Sequence, residues 1–140
     1  MRIEMRRVQF IPKTLEAGIL YVAEELGAAA HLCPCGCGAK VRTPLSPTDW
    51  SLSKTSRGPT LDPSIGNWQE PCKSHYWIRK GEIVWAPRWT EEEIAAGRKA
   101  EQKRAEQYYR AKARDVKSGP IRGVVLRGWR KLLAALHRRR

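Results

Sequence analysis

Near residue 90 the spacing of apolar positions along the chain changes character. Before it, apolar residues come in short runs or alternate with polar ones, and Pro or Gly interrupts them every few residues. After it, Ala, Glu, Gln, Lys and Arg dominate and large apolar groups thin out. The run Ile19-Leu20-Tyr21-Val22-Ala23 has the length and composition of a buried strand. Leu26-Gly27 supplies a turn signal, and Ala28–Cys33 follows as a second extended segment. Trp50 and Leu52 alternate with polar neighbours, as a half-buried strand does. His75–Arg79 and Glu82–Ala86 flank Lys80-Gly81, a two-residue hairpin connection. Between these segments Pro44, Pro47, Gly58, Pro59, Pro63, Gly66 and Pro71 punctuate the chain too often for helices. The pattern predicts a small, loop-rich β-domain over residues 1–89.

Residues 90–140 read as a helical extension, so the chain is mainly β and α+β overall. Thr90-Glu91-Glu92-Glu93 is a capping box, in which the Thr hydroxyl accepts from the Glu93 amide and the Glu93 carboxylate reaches back. The helix that follows reaches Lys117 and is solvated over most of its surface unless Tyr108 and Tyr109 dock. Ser118-Gly119-Pro120 breaks it. A second segment, Ile121–Leu136, places Val125, Trp129, Leu132, Leu133 and Leu136 at helical spacing among Arg122, Arg127, Arg130 and Lys131. No internal repeat is visible.

Composition narrows the class. The chain has 140 residues, 41% of them hydrophobic, enough for one core and against wholesale disorder. No apolar run is long enough to span a membrane, and no charged-then-apolar N-terminal segment marks secretion. The expectation is a cytoplasmic protein with reduced thiols. Its net charge of +13 is unevenly spread. Residues 90–140 hold 15 Lys/Arg against 6 Asp/Glu, whereas residues 1–89 hold 12 against 8.

The strongest local signal is His31-Leu32-Cys33-Pro34-Cys35-Gly36-Cys37-Gly38, joined by Cys72, Ser74 and His75. Zinc bound tetrahedrally by thiolates brings sulfurs to about 3.8 Å from one another. A straight strand spaces same-face residues by about 6.6 Å and cannot deliver three such ligands. Pro34, Gly36 and Gly38 are the residues a tight knuckle would use to fold around an ion. A disulfide cannot employ three cysteines within five residues, and inert thiols would not explain the clustering. Six residues are therefore candidate zinc ligands: Cys33, Cys35, Cys37 and Cys72 together make a closed structural site, whereas a set that includes His31 or His75 leaves a catalytic position open. His31 is an alternative ligand, and Ser74 a supporting group beside the cluster.

Nucleophilic catalysis by serine needs a neighbouring base and donors for the oxyanion. Ser64 lies in Thr60–Asn67, a turn-prone stretch that would expose a hydroxyl. His75 follows Cys72 by three residues, so a metal at Cys72 would fix its position. Ser74 and His75 are adjacent on an expected strand and face opposite sides, which favours Ser64 as the partner of His75. Asn67 is a candidate orienting or oxyanion group. The plainer reading makes Ser64 a turn residue and His75 a metal ligand.

Taken together, His31–Gly38, Pro44, Trp50-Ser51-Leu52, Thr60-Leu61, Pro63-Ser64-Ile65-Gly66-Asn67 and Cys72-Lys73-Ser74-His75-Tyr76-Trp77-Ile78 resemble a family of small bacterial Cys/His-rich domains. That family is associated with ubiquitin-like conjugation (Bub) operons, and the resemblance covers about residues 8–88. It implies a zinc-binding, deubiquitinase-like peptidase that releases a ubiquitin-like protein from its precursor or targets. The implied partners are the ubiquitin-like tail and its conjugation enzymes, and the implied setting is antiviral defence. The polar positions it carries over are His31, the Cys cluster, Ser64, Cys72, Ser74 and His75. Two chemistries follow from them: a Ser64–His75 pair beside a structural zinc, or zinc-bound water with His31 and His75 among the ligands. The basic tail lies outside the resemblance. A rival reading is a non-enzymatic zinc module that binds nucleic acid through the tail. The apolar stripe of the last segment would pack on the body or a second copy, lie on an anionic membrane, or dock a conjugation partner.

Overall fold

In the computed structural model, which describes residues 1–118, eight strands form two four-stranded sheets followed by one helix. The first sheet has the order β1 (Glu4–Arg7), β2 (Ile19–Ala23), β3 (Ala28–Leu32), β4 (Lys40–Pro44). The second runs β5 (Ser51–Thr55), β6 (Gly58–Gly66), β7 (His75–Arg79), β8 (Glu82–Trp85). Neighbours are antiparallel except β1 and β2, which are parallel. The helix α1 covers Glu91–Ser118. Met1–Glu101 forms one compact unit that contains every strand and the first turns of α1.

The apolar runs explain the layering. Leu20 and Val22 of β2, Val41 of β4, Leu61 and Ile65 of β6, and Tyr76 and Ile78 of β7 share one core with Ile3, Ala29, Cys33 and Ile83. Both sheets thus bury a face in the same interior. Tyr21 and Ala30 point to the opposite side of the first sheet, where Leu15, Val8 and Ile11 cover them. This two-sided burial is why residues 19–23 are continuously apolar rather than alternating. The N-terminus ties the sheets: Ile3 N–H donates to the Gly81 carbonyl at 2.9 Å and Ile83 N–H to the Met1 carbonyl at 3.0 Å.

Several expectations hold in detail. Residues 19–23 form a strand, Lys80-Gly81 joins β7 to β8, and the Thr90 capping box is made. Thr90 N–H donates to Glu93 Oε2 at 2.7 Å, and Glu93 N–H donates to Thr90 Oγ1 at 3.2 Å. Tyr108 and Tyr109 stay exposed and meet each other edge to face. Residues 60–66 correct the reading: they are not a turn but part of the nine-residue strand β6, despite Pro59 and Pro63. The register against β7 shifts between Leu61 and Ile65, and a bulge there absorbs Pro63, which has no N–H to place in a ladder. β1 and β4, short and half polar, carried no expectation. The break at Ser118-Gly119-Pro120 and the stripe Val125, Trp129, Leu132, Leu133, Leu136 fall outside the described residues, except that Ser118 is the last residue of α1. Among the described residues no helix is long and apolar enough to cross a membrane.

Candidate active site

β3 ends at Leu32, and the chain then folds back so that Cys33 N–H meets the Ala39 carbonyl at 2.8 Å and Gly36 N–H the Cys33 carbonyl at 3.1 Å. Gly36 and Gly38 take φ values of 84° and 79°, the left-handed region that the knuckle needs. The turn brings Cys33, Cys35 and Cys37 together, and the β6–β7 loop brings Cys72 to them. The four Sγ atoms lie within 4.8 Å of one another. Cys33 and Cys35 are 3.3 Å apart, and Cys37 and Cys72 are 3.7 Å apart. This is the compactness that a tetrahedral thiolate site requires, so the four residues fit a metal ion.

The thiols compete for charge. Burial would raise Cys72, but the Ser74 backbone N–H and hydroxyl, with Cys37 and Cys35, bring it down to about 7. Cys35 goes the other way. The Cys37 backbone N–H favours its anion, yet Cys33, burial, Cys37 and Cys72 push it up to about 12. Four adjacent sulfurs ionise together only beside a cation. Ser74 Oγ sits 3.1 Å from Cys33 Sγ and 3.6 Å from Cys72 Sγ, and the Asn67 side-chain amide donates to Cys72 Sγ at 3.9 Å. Both polar groups therefore face the sulfurs.

His31 stands elsewhere. It is fully buried on β3, its Nε2 is 2.8 Å from the Tyr76 hydroxyl, and it is not one of the four residues whose ligand atoms converge. Burial lowers its pKa to about 4. Burial likewise raises Tyr76, helped by the nearby cysteine charges. The pair is a polar contact inside the core.

On β7 the alternation of side chains sends Ser74 and His75 apart. His75 Nε2 lies 3.0 Å from Ser64 Oγ on β6, and His75 Nδ1 lies 2.9 Å from the Pro87 carbonyl oxygen. A carbonyl only accepts, so Nδ1 carries the proton and Nε2 is the acceptor for the Ser64 hydroxyl. Three indoles surround this imidazole, with ring centroids at 5.0 Å (Trp68), 5.8 Å (Trp77) and 4.9 Å (Trp89). Trp68 and Trp89 also stack on each other at 5.4 Å.

The pair opens into a cleft of about 400 Å³. β4 contributes Lys40, Val41 and Arg42; β6 contributes Ser64–Gly66; Trp50, Trp68, Trp89 and Arg98 close its sides. Pro87, Trp68 and Trp89 had no place in the sequence reading. A backbone carbonyl leaves no signal in residue types, and neither tryptophan belongs to a local motif with His75. Their shared signal, recognisable afterwards, is that 68, 77 and 89 all flank His75.

A β-sandwich unit with a Ser–His pair in an open cleft, beside four cysteines close enough to hold a metal ion, has the make-up of a small hydrolase. The chain belongs to the bacterial ubiquitination-like system serine protease (BubE) family, whose model matches residues 7–86. No curated protein and no solved structure matches the chain. The protein is thus a peptidase of a serine protease family attached to a ubiquitination-like system. Ser64 and His75 both lie within the matched residues.

Proposed function

We propose that this protease cuts after the C-terminal tail of a ubiquitin-like protein, releasing it from a precursor or from a conjugated target, with Ser64 as nucleophile and His75 as base. The observation that carries the reading is the hydrogen-bonded line Pro87 carbonyl, His75, Ser64, at 2.9 Å and 3.0 Å. His75 Nε2 takes the Ser64 proton as Oγ attacks the scissile carbonyl carbon. The proton then passes to the leaving amine, leaving an ester on Ser64. Water, deprotonated by the same nitrogen, hydrolyses that ester and restores the hydroxyl. The Pro87 carbonyl holds the tautomer but brings no full negative charge to the imidazolium. The indoles of Trp68, Trp77 and Trp89, packed around the ring, supply part of that stabilisation.

Zinc is the metal this donor set suits best, since four thiolates at tetrahedral spacing with no open position form a closed structural site. When bound it would tie the β3–β4 turn to the β6–β7 loop; Cys33, Cys35, Cys37 and Cys72 would hold it. Ser74 and Asn67 would orient the thiolates, and Asn67 also lines the cleft beside Ser64. A metal-water route needs His31 or His75 as ligands, and both are otherwise engaged: His31 with Tyr76, His75 with Ser64 and Pro87.

The test is cleavage of a ubiquitin-like protein fused to a reporter, comparing wild type, Ser64→Ala and His75→Ala at matched metal content. Loss of cleavage in both variants with metal retained supports the serine reading. Activity surviving Ser64→Ala would move the chemistry to metal-bound water. Inactivity of the metal-loaded wild type, with strongly salt-dependent binding to generic DNA, would favour a nucleic-acid module.

A further inference from the structure

The hydrogen-bond parity of the two strands that flank the cleft reveals what shape of ligand it takes. In the β6–β7 ladder Gly66 stands opposite His75, and Asn67 N–H donates to the Ser74 carbonyl at 2.8 Å. Antiparallel ladders alternate, so Asn67 and Ile65 turn their N–H and C=O toward β7, whereas Gly66 and Ser64 turn theirs away. β5 would be the neighbour on that side, but its pairing with β6 ends at Ser51 opposite Asp62. Upstream of Ser51 the chain leaves: Trp50 N–H donates to the Pro44 carbonyl at 3.1 Å, and Leu45 bridges Trp50 in parallel. Among the described residues, nothing therefore covers the edge of β6 next to the nucleophile.

The facing strand repeats the pattern. In the β3–β4 ladder Ala30 stands opposite Arg42 and Leu32 opposite Lys40, while Cys33 N–H donates to the Ala39 carbonyl at 2.8 Å. By the same alternation Val41 bonds β3, and the N–H and C=O of Lys40 and Arg42 point outward. The outward bond of the Pro44 carbonyl to Trp50 has the parity this requires. Lys40, Val41, Arg42, Ser64, Ile65 and Gly66 all line the one cleft. At the end where β5 begins, the same cleft is lined by Trp50, whose Nε1 is buried without a hydrogen-bond partner.

We propose that this cleft is a vacant strand position between β4 and β6, and that the substrate fills it as an extended peptide in line with β5 and antiparallel to β6. The inference rests on the Ser64–His75 reading and adds the mode of recognition: main-chain hydrogen bonds to Gly66 and Ser64 on one side and to Lys40 and Arg42 on the other. Recognition through backbone favours an unfolded tail over a folded surface, and it sets the peptide carbonyl beside Ser64 Oγ. Residues preceding the cut lie along Gly66 toward Trp68.

The experiment uses full-length Ser64→Ala protein and a ten-residue peptide copying the tail of a ubiquitin-like protein that the wild type is tested against. Residue-resolved amide exchange is expected to slow at least about tenfold at Lys40, Arg42 and Gly66 when the peptide binds. Val41 and Ile65, already in ladders, should change little. N-methylating alternate amides of the peptide is expected to weaken binding by about tenfold or more, because each methyl removes a main-chain bond. Cleavage of the peptide by wild type, with no protection of those amides and no effect of N-methylation, would overturn the vacant-strand inference alone. Absence of both binding and cleavage would remove the protease reading and this inference together.

Discussion

In the proposed mechanism His75 concentrates the chemistry, because each of its ring nitrogens has a different neighbour. Pro87 takes Nδ1–H and leaves Nε2 for Ser64, so loss of either member should remove hydrolysis without unfolding the chain. Ser64→Ala and His75→Ala are each expected to lower kcat/KM by about 10³-fold or more. Ser64→Ala should leave the melting temperature nearly unchanged, whereas His75→Ala should also lower it, because it empties a buried position packed by three indoles. Gly66 matters through space rather than charge. A Cβ there would stand 2.2 Å from the Trp68 ring, so Gly66→Ala must displace the indole that packs on His75. We expect a stability loss of about 1–3 kcal/mol and a fall in kcat, visible together in thermal melts and tail-cleavage assays. His31 gives the opposite contrast. His31→Gln should keep the metal stoichiometry of wild type, whereas Cys37→Ser should lose tight metal binding, measured by mass spectrometry under native conditions. Both cysteine clustering and the Ser–His pairing were legible from residue types and strand parity. The Pro87 carbonyl was not, because every residue owns one.

Elements decide which of these side chains can meet. The parity of β7 sends Ser74 to the sulfurs and His75 to Ser64, and the register shift in β6 lets Ser64 reach His75 although Pro63 precedes it. Residues 60–67 misled as a sequence because Pro and Gly signal turns locally, while burial of Leu61 and Ile65 against β7 outweighs that preference. The helix start was fully readable, since a capping box is a local device. Thr90→Ala removes the hydroxyl that accepts the Glu93 amide and is expected to cost about 1 kcal/mol of helix stability. Ile94, Gly97 and Arg98 line the cleft, so the same change should raise KM more than it lowers kcat. Initial cleavage rates over a range of substrate concentrations separate the two constants.

Across the Met1–Glu101 unit, two ties hold the sheets in register with the site. The N-terminal residues bond Gly81 and Ile83, and the four cysteines gather the end of β3 and the loop before β7. Chelation of the metal is expected to lower the melting temperature and the cleavage rate together, because Cys72 lies three residues before His75. Both should return on adding zinc, followed by calorimetry and assay on one sample. Lost activity at unchanged stability would contradict a purely structural metal. Lower pH should weaken metal binding, since thiolates must shed protons to bind. The apparent metal dissociation constant should rise already above neutral pH, where Cys35 holds its proton, and more steeply once pH falls below the Cys72 value of about 7.

By itself the sequence determined the strand at 19–23, the hairpin at 80–81, the helix cap and the identity of the metal-competent sulfurs. Each follows from local periodicity, turn chemistry or clustering within a few residues. The tertiary structure alone decided that His31 turns to Tyr76 rather than to the cysteines, that the Pro87 carbonyl meets His75, and that β4 and β6 line one cleft. Those outcomes depend on contacts between residues 11 to 45 positions apart, which only the packing of two sheets around one core brings together.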